Sequence, residues 1–209
     1  MLVNNCGGRG ASFRAKGEKR SLTFAKGIGS PSEKLHPAYM NRIKNTGNED
    51  RIIQDFNKKH TKANREYAIQ IDENGYVTNY YKGKRGSVSY STEETKDKHL
   101  VHNHPSAGWG NFSGTDLETW ASTGQRAVTA SSRNSTPISN VDPKVYANRR
   151  AGTYTIRKKS HFKRDEFIKA IKNLKVESKN YDRCLGKWLK NNASTFGYEY
   201  TYKPAKNKI

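Results

Sequence analysis

Two histidines one residue apart and closed by a proline constrain the middle of this chain more than any other feature: His102-Asn103-His104-Pro105. Alternate residues of a strand project to one face, so an extended backbone sets His102 and His104 side by side. Pro105 removes a ladder donor and restricts His104, so the strand His99–His104 ends there. After a Gly-rich loop, Ser113 to about Thr123 reads as a helix, and Ala127-Val128-Thr129-Ala130 as a strand behind it. Strand, loop, helix and strand in succession point to an α/β chain.

The two imidazoles reach a common point, and a third metal ligand must come from elsewhere. Asp116, in the first turn of the following helix, is carried back toward them by the loop containing Gly108 and Gly110. Two histidines and one carboxylate leave a fourth position open, which distinguishes a catalytic zinc site from a closed structural one. Each half has a plainer reading: His-Asn-His-Pro as a polar turn, Ser113-x-x-Asp116 as a helix cap. The cap and the metal site are compatible, because capping fixes where Asp116 points.

Around this centre the sequence alternates strands and helices. Asn48 caps a helix from Glu49 to about Lys62, with Ile52, Phe56 and Ala63 at helical spacing. Tyr67–Ile71 and Tyr76–Lys82 read as a hairpin about Asp72-Glu73-Asn74-Gly75, and Ser87-Val88-Ser89-Tyr90 as the start of a third strand. Asn134–Asn140 is a polar loop. Thr153–Ile156 is a strand, with helices over Arg164–Leu174 and Tyr181–Asn191, and the last strand puts Phe196, Tyr198, Tyr200 and Tyr202 on one face. The expected architecture is a mixed, mainly antiparallel sheet with flanking helices.

Composition bounds the partners. Lys and Arg number 39 against 19 Asp and Glu, a formal charge of +20, so a polyanion or an acidic protein surface is the expected neighbour. Residues 1–47 are rich in Gly, Ser, Lys and Arg and read as a flexible basic arm whose Phe13, Leu22 and Phe24 are able to dock on the rest, residues 48–203 as one domain, and residues 204–209 as a basic tail. Cys6 and Cys184 are the only cysteines, which excludes a disulfide framework and a four-cysteine zinc site. No apolar run approaches the ~20 residues needed to cross a bilayer, and the first residues lack a secretory layout. A cytoplasmic protein is expected.

His-x-His-Pro, seven residues, Ser, two residues, Asp is also the signature of the JAMM (MPN+) metalloproteases, which this chain resembles at every motif position from His102 to Asp116. A looser resemblance runs over residues 66–156, and His102-Asn103-His104-Pro105-Ser106 looks particularly like the RadC branch and related domains of phage and mobile elements. The resemblance implies a cytidine-deaminase-like α/β fold, Zn2+ held by His102, His104 and Asp116, and Ser113 stabilising a tetrahedral intermediate. It also implies an upstream glutamate as general base, at the start of a strand in the same sheet. Glu66 fits that position, whereas Glu73, Glu93 and Glu94 read as solvated carboxylates. The segment from Tyr90 to His99 is shorter than the helix-bearing connection of RadC-like proteins, a departure from that pattern.

The implied reaction is hydrolysis of an amide or isopeptide bond in a protein or peptide substrate. Two other readings stand beside it. One is a RadC-like protein bound to nucleic acid without sequence preference through its basic arm; the other is a structural or maturation component of a virion or mobile element, with a JAMM-type metal site. His36, His60, His99 and His161 read as surface or packing residues. Trp109 and Phe112 either line a cleft or anchor the loop, and the C-terminal aromatic stripe reads as packing rather than a base-stacking platform.

Overall fold

The computed structural model describes residues 19–22, 32–35, 47–105, 109–133, 150–177 and 180–205. The expected loop Asn134–Asn140, residues 106–108, Cys6 and the tail beyond residue 205 lie outside them.

The described strands are β1 (Lys19–Ser21), β2 (Glu33–Lys34), β3 (Tyr67–Ile71), β4 (Val77–Lys82), β5 (His99–Asn103), β6 (Ala127–Ser132), β7 (Gly152–Lys158), β8 (Lys175–Glu177) and β9 (Tyr198–Pro204). The helices are α1 (Glu49–His60), α2 (Gly114–Ser122), α3 (Arg164–Asn173), α4 (Tyr181–Asn191) and a single turn, α5 (Ala193–Phe196). The main sheet has the order β2-β4-β3-β5-β6-β7-β9, and β1 pairs with β8 beside it. Of the pairings in the main sheet only β5 with β6 is parallel, and α2 is the crossover between them. The protein is therefore mixed α/β, with a mainly antiparallel open sheet flanked by helices.

Central β5 is buried at every position, as expected of a strand covered on both faces. Under one face lies α1, whose Ile52 and Phe56 pack with Ile69, Ile71 and Val101. The register of that helix follows from its cap: Asn48 accepts the Arg51 backbone N–H at 3.1 Å. Over the other face, α2, α3 and α4 bury Leu117, Trp120, Phe167 and Leu185 against Leu100, Val128 and Ile156. His102 projects from β5 into this second layer, beside Ala68 and Ala130 in register. The small side chains on either side leave room around the imidazole.

Three expectations need correction. Part of the 1–47 segment belongs to the fold: β1 pairs with β8, β2 pairs with β4, and Leu22 is buried in the helical-layer core. Leu22 offers apolar area to a core wide enough to take it, which local composition does not register. Ser87–Tyr90 is not a strand; its Ser89 instead exchanges backbone and side-chain hydrogen bonds with Ser32. Phe196 is not on the last strand either, because Gly197 at φ 75° closes α5 and turns the chain before Tyr198.

Candidate metal centre

The end of β5 presents His102, and the residue after Asn103 continues the extended path so that His104 turns to the same side. Nε2 of His102 lies 3.0 Å from Nε2 of His104. Asp116 completes the cluster, with Oδ1 3.4 Å from His102 Nε2 and Oδ2 3.4 Å from His104 Nε2. One ligand atom from each of the three residues lies within 4.8 Å of the others. A tetrahedral ion with ~2.0–2.1 Å bonds to nitrogen and oxygen separates its ligand atoms by about 3.3 Å. The three side chains converge at about this spacing, the two imidazoles facing different oxygens of the Asp116 carboxylate, and their nitrogen and carboxylate donors suit zinc among other divalent ions.

The three side chains are also coupled electrostatically. Burial alone would raise the Asp116 carboxyl, but the two imidazoles pull it well below the usual carboxylate range. Burial opposes the charged form of His102, yet the Asp116 carboxylate beside it raises its pKa overall. His104 Nδ1 sits 3.1 Å from the Trp109 carbonyl, which only accepts, so Nδ1 is the donor of this pair and Nε2 is the atom turned toward His102 and Asp116.

Asp116 is aimed by the start of α2. Ser113 is the N-cap, and a full capping box joins the two residues: Ser113 N–H donates to Asp116 Oδ2 at 2.7 Å, and Asp116 N–H donates to Ser113 Oγ at 3.1 Å. The Ser113 hydroxyl donates to Asp116 Oδ2 at 2.8 Å. Its proton is therefore engaged by the carboxylate.

Glu66 immediately precedes β3. In the β3–β5 register Ala68 faces His102, and continuing that register by two residues sets Glu66 opposite His104. Burial raises the Glu66 carboxyl above its ordinary value, while the His104 and His102 imidazoles and the Val88 backbone N–H oppose the shift. The chain thus brings His102, His104, Asp116, Ser113 and Glu66 together. Glu73, Glu93 and Glu94 are not among the groups acting on the cluster; Glu94 instead pairs with Lys34 and Tyr81.

Several residues of the site had no assigned part in the sequence analysis. Asn103, between the histidines, is fully buried; its Oδ1 accepts Tyr67 N–H at 2.7 Å and its Nδ2 donates to Arg65 O at 3.0 Å. The Val88 backbone N–H donates to Glu66, and the Tyr90 phenol is held protonated by burial and by the Asp116 and Glu66 carboxylates. The signal for Asn103 was available, since a polar residue between two strand-end ligands needs a partner. Trp109 and Phe112 are buried, which makes them loop anchors.

His99 faces the opposite layer. Its Nδ1 pairs with Glu49 at 3.2 Å and its Nε2 with Thr129 at 2.7 Å, while Arg126 and Arg157 also bind Glu49. The C-terminal tyrosines pack as expected, Tyr198 in the core and Tyr202 stacked on Tyr154. Among the described residues no helix is long and apolar enough to cross a membrane. No family model, curated protein or solved structure matches the chain.

Proposed function

We propose that this protein is a zinc-dependent metallopeptidase of the JAMM type, hydrolysing an amide or isopeptide bond in a protein or peptide. The observation that carries the reading is the convergence of two imidazole nitrogens and a carboxylate within 4.8 Å of one another, beside a carboxyl group whose proton affinity is raised. The strand–loop–helix–strand unit that holds the ligands, with α2 crossing from β5 to parallel β6, supports a JAMM-like fold.

His102, His104 and Asp116 would hold the ion, leaving the fourth position to water and substrate. Bound there, zinc supplies Lewis acidity toward the attacking water and the scissile carbonyl. Glu66 accepts the proton of that water at its carboxylate and returns it to the leaving nitrogen, a task suited to a carboxyl raised toward neutrality. The Ser113 hydroxyl stabilises the developing oxyanion by turning its proton away from Asp116, which the backbone N–H of Ser113 continues to hold. The net charge of +20 favours work beside a polyanion, with nucleic acid bound independently of sequence.

The test is zinc content together with cleavage of a peptide and isopeptide library. Wild-type protein retains zinc through purification and cleaves; Glu66→Gln retains zinc and does not cleave. Equal cleavage by both proteins removes Glu66 from its role, and zinc-free wild-type protein that rejects added zinc removes the metal site.

A further inference from the structure

The Trp109 carbonyl that receives the His104 Nδ1 proton belongs to the same rigid peptide unit as the Gly110 N–H. That N–H donates to Oδ2 of Asp182 at 3.0 Å, on the first turn of α4 and 72 residues away. Asp182 is 1% exposed, and its carboxylate also accepts Asn111 N–H at 2.9 Å and Arg150 N–H at 2.9 Å. A carboxylate buried on three backbone donors is a strong and directional anchor. Gly110 permits the approach: a Cβ at this position would meet Ser132 Oγ at 2.7 Å and Asp182 Oδ2 at 3.1 Å, and would collide with the Arg150 carbonyl.

We infer that Asp182 is a positioning residue of the metal centre, acting through the Trp109–Gly110 peptide to hold His104 with its Nε2 lone pair turned toward His102 and Asp116. This deepens the metallopeptidase reading and rests on it. Metal-binding histidines commonly donate their second ring nitrogen to a carboxylate or a backbone carbonyl, which fixes the tautomer and raises the basicity of the ligand atom. Here a peptide unit is interposed. The anion on its N–H side polarises the amide, makes the carbonyl a better acceptor, and so passes the effect of a carboxylate to His104 without direct contact.

The experiment compares metal-free wild type, Asp182→Asn and Tyr181→Phe by nitrogen-15 NMR of the histidine rings at pH 8, then measures Zn2+ affinity by chelator competition. Tyr181→Phe is the control, since it removes the Tyr181 hydroxyl bond to Phe112 O at 2.8 Å from the same helix and loop without touching the Trp109–Gly110 peptide. Wild type and Tyr181→Phe should show His104 protonated on Nδ1 and share one affinity. Asp182→Asn should lose the fixed tautomer and bind Zn2+ on the order of 10–100-fold more weakly. The inference is overturned if Asp182→Asn keeps both properties, or if His104 of the wild type carries its proton on Nε2. Should Asp182→Asn not fold, the wild-type Gly110 amide proton decides: a charged acceptor moves it downfield, and an ordinary position rejects the inference. Wild type that binds no Zn2+ defeats the metallopeptidase reading, while the tautomer measurement still judges Asp182.

Discussion

The side-chain oxygen of Asn103 accepts the backbone N–H of Tyr67 at 2.7 Å where β3 and β5 part company. With the reciprocal bond from Asn103 Nδ2 to Arg65 O at 3.0 Å, one amide bridges the two residues that flank Glu66 and sits between His102 and His104. The candidate base and the candidate ligands are thus tied to each other through one side chain between them.

Asn103→Ala leaves the part-buried Tyr67 N–H and Arg65 carbonyl without this partner and should cost about 2 kcal/mol in denaturant unfolding, near the low end of the about 1–3 kcal/mol for each unsatisfied group. Zinc affinity should fall less than activity, because the ligands stay on their strand while Glu66 loses its tether. An activity loss no larger than the affinity loss would remove the tethering role.

Ser113→Ala removes both the cap acceptor for Asp116 N–H and the hydroxyl bond to Asp116 Oδ2. Metal-free protein should lose ~1 kcal/mol of stability, the usual effect of an N-cap. Zinc should bind more weakly as well, since Asp116 then keeps only the Ser113 N–H to aim it. Unchanged affinity in a titration would show that the capping box does not orient the ligand.

His60 gives the fold a pH dependence separate from the metal. It stacks on Tyr67 with ring centroids 4.3 Å apart, bonds the Tyr80 hydroxyl, and burial lowers its pKa from 6.5 to about 4. The unfolded chain therefore binds the proton first as pH falls. Stability from the neutral ring is complete above pH 6.5 and declines between 6.5 and about 4. At ~1.4 kcal/mol per unit the whole effect is on the order of 3 kcal/mol. His60→Gln should flatten the difference in unfolding free energy between pH 7 and pH 4.5; the same slope in both proteins would assign the dependence to other groups.

Leu22 tests whether the basic N-terminal segment belongs to the folded unit. It is 4% exposed and buried beside the β1–β8 pair. Leu22→Ala should lower stability by about 2–4 kcal/mol, as for truncation of a buried leucine. A surface position would lose a few tenths, and that outcome would detach the segment from the core.

Glu49 holds His99, Arg126 and Arg157 together behind the sheet. Glu49→Ala leaves partly buried cations without their anion and should destabilise by ~2 kcal/mol, below the ~3–5 kcal/mol of a fully buried pair because the cluster retains solvent contact. Thermal unfolding at low and high salt checks the ionic origin, since the Asn48 cap of α1 is retained in the variant and the loss should shrink as salt screens the charges; a salt-independent loss would assign it to packing.

The sequence by itself determined the candidate cluster and most of the elements. His102, His104, Ser113 and Asp116 span fifteen residues of strand, loop and helix, and the geometry of those elements almost suffices to bring them together. The helices α1 and α4 and the strand β3 were legible because their apolar residues recur at the period of the element. Only the tertiary structure decided what crosses the sheet or joins distant segments. Leu22 reaches the core from a polar segment, Asn103 ties two strands, His99 meets Glu49, and Asp182 grips a peptide 72 residues earlier in the chain. These contacts carry no periodic signature, because a hydrogen bond or a buried side chain is satisfied by whatever folding brings within reach, irrespective of its distance along the sequence.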